Sequence, residues 1–84
     1  MRLRTADLAS RTIDGETIIL DLQSSRYLSA TGVGARILEL LAVDTTLGDL
    51  VSTITDEYES EPEVVRSDVQ RFLDKLQAAG LLES

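Results

Sequence analysis

The sequence contains no Cys, no His and no Trp, and it has only one Pro and one Phe among its 84 residues. Without Cys there are no disulfides, thiolate nucleophiles or thiolate zinc sites. Without His there is no imidazole base near neutral pH and no His-containing catalytic triad. A domain of this length buries only about 60–65% of the surface of its unfolded chain, which leaves little volume for a catalytic cavity. These absences favour a binding module over an enzyme.

The charge is strongly acidic, with 15 Asp and Glu against 8 Lys and Arg and a formal net charge of −7. This balance argues against nucleic acid as a partner, because duplex binding depends on Lys and Arg that neutralise phosphates. No apolar run approaches the length of a transmembrane helix or a signal peptide, so we expect a cytoplasmic protein without membrane contact. A carboxylate-only calcium or magnesium site remains formally open, but no cofactor is predicted. We find no linker that would divide residues 1–84 into more than one domain.

The first thirty residues have strand patterns. We predict strands at Leu3–Leu8, Glu16–Leu22 and Arg26–Leu28, with turns at Asp14-Gly15 and Gln23–Ser25. The second strand alternates, so that three apolar residues share one face and Thr, Ile and Asp share the other: Ile18, Leu20 and Leu22 against Thr17, Ile19 and Asp21. The predicted product is a small antiparallel meander.

The remaining residues have helical patterns. Thr31 is a candidate N-cap for a first helix, and Thr46 with Asp49 forms a capping-box variant for a second. Pro62 suits the first turn of a third helix, and Gly80 suits its end. Two glycines in the first turn of the first helix, Gly32 and Gly34, indicate a close approach of backbone at that corner. The acidic segment from residue 56 to residue 63, with five Asp and Glu in eight residues, is predicted to be a solvated connection.

The third predicted helix has a polar flank beside its apolar arc. At 100° per residue, Val64, Asp68, Arg71 and Lys75 fall together on this flank. They can be an ordinary solvated surface with an Asp68–Arg71 ion pair, or they can form one wall of a groove. An unpaired edge of the predicted strand Arg26–Leu28 would supply the other wall and accept an extended peptide as an added strand. Tyr27, taken alone, is more simply interpreted as a core aromatic.

Two other functions have weaker support. A small sheet and consecutive helices also fit a winged-helix DNA-binding regulator, but the exposed face of the third helix would be mixed in charge: Arg66, Ser67, Gln70 and Asp74. An enzyme would rest on Asp56, Glu57 and Glu59 alone, which form no recognisable catalytic pattern.

Three motifs resemble the PqqD-like family, also called RiPP recognition elements. One is "RYL" followed closely by "GARI", the second is the "T-x-x-D-L" start of the second helix, and the third is "SDVQRFLDKLQAAGLL". The resemblance covers residues 14–82. The chain departs from the family pattern at Ala30-Thr31, where Leu-Asn is frequent, and at Leu38, where Trp is frequent. Thr31 is expected to keep the capping chemistry.

The resemblance implies an α+β, winged-helix-turn-helix-like fold with a three-stranded antiparallel sheet followed by three helices. It implies a non-catalytic protein that binds the leader segment of a ribosomally made precursor peptide, as in lasso-peptide biosynthesis. The implied partners are the precursor leader, a cysteine-protease-type leader peptidase and a cyclase. The leader would add to the third predicted strand beside the third helix. Carried onto this chain, the peptide-binding residues are Arg26, Tyr27, Leu28, Ser29, Val64, Asp68, Val69, Arg71, Phe72 and Lys75.

Overall fold

Strands fill the first part of the chain and helices most of the second. The computed structural model describes residues 1–83, and all bounds below refer to them. The strands are β1 (Arg2–Leu3), β2 (Leu8–Ile13), β3 (Glu16–Asp21), β4 (Arg26–Thr31) and β5 (Leu82–Glu83). The helices are α1 (Val33–Leu40), α2 (Leu47–Tyr58) and α3 (Pro62–Ala78). A search of these residues finds no helix long and apolar enough to cross a bilayer.

The sheet is an antiparallel meander in the order β2-β3-β4. Ile19 lies opposite Leu28 and Ser10, and Leu20 lies opposite Tyr27 and Ala9. Three helices follow this sheet in the chain, so the predicted α+β class is confirmed.

The first predicted strand is wrong in position. The structure has no single strand over residues 3–8, because β1 ends at Leu3 and β2 begins at Leu8. Asp7 adopts a positive φ of 57°, which turns the chain between the two strands. β1 is not part of the meander but pairs with β5 in a second, two-stranded sheet. Beside this pair, the N–H of Arg4 donates to the carbonyl of Leu81. A two-residue strand leaves too short a pattern to be recognised in the sequence.

The two faces of β3 have unequal environments, because the core lies against only one of them. Thr17, Ile19 and Asp21 are buried, and Ile19 is only 1% exposed. Leu20 lies on the opposite face and remains exposed. The predicted alternation is therefore present, but the face with more apolar residues is the one that the core does not cover. The core contains Ile19 of the sheet together with residues of the helices, Leu41 directly after α1, and Leu81: Ile37, Leu38, Leu41, Leu50, Val51, Ile54, Val65, Val69, Leu73, Leu76 and Leu81.

Most of the predicted helix boundaries are confirmed. The hydroxyl of Thr46 accepts a hydrogen bond from the N–H of Asp49 at 3.1 Å and caps α2. Pro62 opens α3, and Gly80 follows its end with a φ of 73°. The predicted Thr31 cap is wrong. Thr31 ends β4, and Gly32 takes the N-cap position of α1 with a φ of 58° and no side-chain hydrogen bond.

The acidic segment is more structured than predicted. α2 continues through Tyr58, so residues 56–58 are helical and only residues 59–61 connect α2 to α3. Glu57 accepts two hydrogen bonds from the guanidinium of Arg36, both at 2.8 Å. The Arg36 side-chain hydrogen bonds hold the pKa of Glu57 below its ordinary value. This ion pair links α1 to α2, so one member of the segment has a structural role.

Candidate functional site

A cleft separates the free side of β4 from one flank of α3, and we refer to it as the β4/α3 cleft. Within residues 1–83, β4 pairs only with β3, so its other side keeps unpaired N–H and carbonyl groups. α3 runs against β4 in direction, so that the end of α3 lies near the start of β4 and the start of α3 lies near its end. One small cavity lies at the start of β4, and a second lies beyond the end of β4, between α1, α2 and the start of α3.

The first cavity, the Arg26 pocket, lies at the start of β4. It has a volume of about 200 Å³ and is lined by Ile19, Arg26 and Leu28 from the sheet and by Ala78, Ala79 and Leu81 from the end of α3 and the residues after it. The alanines leave room because they carry no side chain beyond Cβ. The walls are mainly apolar, with a guanidinium among the lining groups, so the pocket suits an apolar side chain.

The second cavity, the Asp68 pocket, lies at the opposite end. It has a volume of about 180 Å³ and is lined by Val33 at the start of α1, by Ile54 and Tyr58 of α2, and by Val64 and Asp68 of α3. A hydrophobic interior with one carboxylate in its wall is suited to an apolar side chain that has a polar or basic neighbour.

Phe72 lies between the two pockets and is half-buried. A Cβ placed on Gly34 would lie 3.4 Å from Cε1 of Phe72 and 3.2 Å from Cβ of Ala30. The close approach predicted from the paired glycines is therefore confirmed at Gly34. The absence of a side chain there allows the Phe72 ring to lie against the junction of β4 and α1.

The strand residues predicted for the site contribute in two ways. Leu28 lies opposite the buried Ile19, so its side chain faces the helices and the cleft. Tyr27 and Ser29 lie opposite Leu20 and Ile18, and their side chains are on the uncovered face of the sheet. Tyr27 is 74% exposed, so its interpretation as a core aromatic is wrong. Tyr27 is nevertheless among the residues that line the Arg26 pocket, and Ser29 can offer the cleft its backbone groups.

The helix residues predicted for the site lie mostly on the cleft flank. Val64 and Asp68 line the Asp68 pocket, and Lys75 is exposed one turn before Ala79. Nη1 of Arg71 lies 3.7 Å from Oδ1 of Asp68, as the spacing predicted. Both side chains are mostly exposed, so this pair contributes little to stability. Val69 is a correction, since it is 0% exposed within the core and cannot reach a ligand.

Asp21, which lines the Arg26 pocket, forms an ion pair with Arg4. Nη2 of Arg4 lies 2.7 Å from Oδ1 of Asp21, and Nη1 donates to the carbonyl of Gly80 at 2.8 Å. Burial alone would raise the pKa of Asp21, but hydrogen bonds from the Gln23 N–H and the Arg4 guanidinium outweigh it and lower that pKa. Arg4 therefore connects the end of β3 to the turn after α3 and neutralises the carboxylate beside the pocket.

Sequence reasoning missed several residues of the pockets, among them Ile19, Asp21, Tyr58 and Leu81. The strand alternation already placed Ile19 and Asp21 on one face, and this was the signal that could have found them. Nothing in the local pattern of Tyr58 or Leu81 shows which other element they approach. As for metals, residues 1–83 contain no group of three or more Asp and Glu side chains arranged to hold an ion.

Comparison with known proteins gives one family and two similar structures. The family described as coenzyme PQQ synthesis protein D (PqqD) matches residues 16–82. TbiB1 in complex with the TbiA(beta) leader peptide is 32% identical, with a TM-score of 0.90 over 100% of this chain and 96% of that chain. Lasso peptide synthetase B1 complexed with the leader peptide is 24% identical, with a TM-score of 0.84 over 99% and 96%. Because the sequence identity of this second structure is below 25%, it shows similarity of fold only. No curated protein sequence matches the chain.

The family match covers most of the chain, including the whole of β3, β4 and the three helices that surround the cleft. The first similar structure matches the chain over its full length at an identity that supports common descent. The chain therefore belongs to the PqqD family and has the fold of a PqqD-like RiPP recognition element.

Proposed function

We propose that this protein binds the leader segment of a ribosomally synthesised precursor peptide in the β4/α3 cleft and presents it to processing enzymes. The observation that carries the proposal is the unpaired side of β4 facing a helix flank, with an apolar pocket at each end of the cleft. TbiB1, which is 32% identical over the whole chain, is itself in complex with a leader peptide.

In this proposal the leader adds to β4 as a fourth, antiparallel strand. The existing sheet is entirely antiparallel, and an antiparallel addition continues its hydrogen-bond pattern. The six residues of β4 span roughly 20 Å at about 3.3 Å per residue. Because β4 runs from the Arg26 pocket towards the Asp68 pocket, the N-terminal part of the leader would lie at the Asp68 pocket.

Backbone hydrogen bonds alone would not hold such a peptide. Ordering a disordered segment costs about 2–5 kcal/mol, so the cleft needs side-chain anchors as well. Alternate side chains of an added strand face the helices, where Leu28 in the Arg26 pocket and Phe72 of α3 offer them an apolar surface. Selectivity then comes from the pockets, and affinity is shared between them and the strand hydrogen bonds.

The chemistry in this proposal belongs to partner proteins. The sequence contains no Cys and no His, so cleavage of the leader is assigned to a cysteine-protease-type peptidase and ring closure to a cyclase. The protein acts as a non-catalytic carrier. We propose a cytoplasmic location because the precursor is made there by the ribosome.

Co-purification with candidate precursor peptides, followed by titration calorimetry, tests the binding itself. We expect saturable one-to-one binding and amide NMR shifts concentrated in residues 26–31 and 64–79. Shifts confined to α2 would overturn the cleft as the site. Salt-sensitive retardation of DNA without peptide binding would support a winged-helix regulator instead.

Methylating each backbone nitrogen of the bound peptide in turn tests strand addition. In an edge-paired strand only every second N–H points to the partner strand. We therefore expect large losses of affinity at alternate positions and small ones between them. Sensitivity without this period of two would show that the peptide binds in another conformation.

A further inference from the structure

The two ends of the β4/α3 cleft differ in charge. Arg26 lines one pocket and Asp68 lines the other, and they belong to opposite walls of the cleft. The chain has a net charge of −7, so cations concentrated at one end of the cleft give that end a charge opposite to that of the whole protein.

The Arg26 end is positive. Its one acidic lining residue, Asp21, is neutralised by Arg4 at 2.7 Å. Arg26 forms no ion pair with any of the described residues. Lys75 adds a second cation, because it lies on the cleft flank one helical turn before Ala79, which lines the same pocket.

The Asp68 end is negative. Asp68 is 59% exposed, and its contact with Arg71 is a long one at 3.7 Å that solvent and salt weaken. Tyr58 and Ser60, which also line this pocket, lie next to Glu59 and Glu61 in the chain, whereas Glu57 is already paired with Arg36. A basic group on a ligand would therefore meet carboxylates here, and it can replace Arg71 as the partner of Asp68.

We infer that this charge difference selects the sequence direction of the bound peptide, an inference that rests on the proposed strand addition. The ligand is an extended peptide with basic residues beside the Asp68 pocket and acidic residues beside the Arg26 pocket. For an antiparallel strand the basic residues precede the acidic ones. A strand can form hydrogen bonds in either direction, so complementary charge supplies a preference that the backbone lacks.

Lys75 can also stabilise α3 itself, so the test has to separate this structural role from a role in peptide selection. Lys75 lies in the last turn of α3, where a cation stabilises the helix. A purely structural Lys75 would alter the melting temperature and leave the ligand preference unchanged. A specificity determinant changes which peptides bind.

The experiment is selection from a displayed library of random 15-residue peptides by the full chain. A charge-reversed variant, Arg26→Glu with Lys75→Glu, is compared with a matched control, Arg11→Glu with Arg66→Glu. The control changes the net charge equally, at positions on β2 and on the side of α3 away from the cleft. We expect the wild type and the control to enrich peptides with basic residues before acidic ones, and the charge-reversed variant to lose or invert this order.

Affinity measurements on one selected peptide complete the test. Exchanging its acidic and basic residues, with the apolar residues unchanged, should weaken binding about tenfold at low salt, because each exposed charge contact changes affinity by a few-fold. The difference should shrink at 1 M salt. Enriched peptides with a common apolar pattern and no charge order would overturn this inference and leave the proposed function intact. No enrichment of any peptide would count against the proposed function itself.

Discussion

β2 and β4 are the two edge strands of the same sheet, and both are six residues long. Near β2 the structure has only a shallow depression on the open face of the sheet, lined by residues of β2 and β3: Ala9, Ser10, Arg11, Ile18 and Leu20. The Arg26 pocket beside β4 also has walls from the end of α3 and the residues that follow it. Unpaired backbone is thus common to both edges, but only β4 has residues from the end of α3 beside it. Under the proposed function, β4 and not β2 binds the peptide because a second element stands beside the open edge of β4.

The largest difference between the two edges is expected when a lysine is introduced into β4 in one variant and into β2 in another. Leu28→Lys puts an ammonium group into the cleft, where desolvation opposes burial of a leader side chain, so we expect more than about tenfold weaker peptide binding. Ile13→Lys on β2, where the native side chain is 52% exposed, should leave affinity unchanged. Titration calorimetry measures both. Equal losses in the two variants would mean that the edges do not differ as we describe.

Removing the middle of the helix wall should have the next largest effect. Phe72→Ala deletes a half-buried ring next to Gly34 and should lower the free energy of unfolding by about 2 kcal/mol, less than for a fully buried Phe. It should also weaken peptide binding severalfold. Phe72→Leu keeps an apolar side chain and is expected to stay within about 1.5 kcal/mol of the wild type. Urea unfolding gives the stabilities. An alanine variant with unchanged peptide affinity would remove Phe72 from the site.

A pair of glycine substitutions tests the space at the cleft. A Cβ on Gly34 is crowded at 3.2 Å from Ala30, so Gly34→Ala should displace the Phe72 ring and weaken binding a few-fold. Gly48 in α2 meets nothing closer than 3.9 Å, so Gly48→Ala should stabilise the protein by up to about 1 kcal/mol without altering binding. Thermal unfolding and calorimetry measure the two effects. Tighter peptide binding by Gly34→Ala would contradict the packing described for this corner.

The smallest expected effect is on the pH dependence of stability, through the Arg4–Asp21 ion pair beside the Arg26 pocket. The pKa of Asp21 is lower in the folded protein, so the ionised carboxylate stabilises the fold above the unfolded pKa, and this is lost as pH falls through the folded one. Asp21→Asn should therefore be less stable than the wild type at neutral pH, with a difference that closes in acid. A double-mutant cycle with Arg4→Gln, measured by urea unfolding, tests whether the pair is coupled. Additive losses at neutral pH would show that it is not.

Local chemistry in the sequence predicted much of the framework. Thr46, Pro62 and Gly80 mark helix ends through capping, a fixed φ and tolerance of positive φ, and each acts within one turn of its own position. The three motifs together predicted the family, and helical spacing placed Val64, Asp68, Arg71 and Lys75 on one flank of the third helix. Thr31 was misjudged because its hydroxyl chemistry suits a cap, while pairing with Glu16 draws it into β4.

The amino-acid pattern alone predicted a small antiparallel meander followed by three helices, the two turns around β3 and the Asp68–Arg71 pair. All of these depend on neighbours close in the chain. Only the tertiary structure decided that Ile19 and not Leu20 faces the core, that Tyr27 is exposed, and that β1 pairs with β5. It also decided that Arg26 and Asp68 occupy opposite ends of one cleft. These features arise where segments distant in sequence pack together, and a periodic pattern shows which residues share a face but not what covers it.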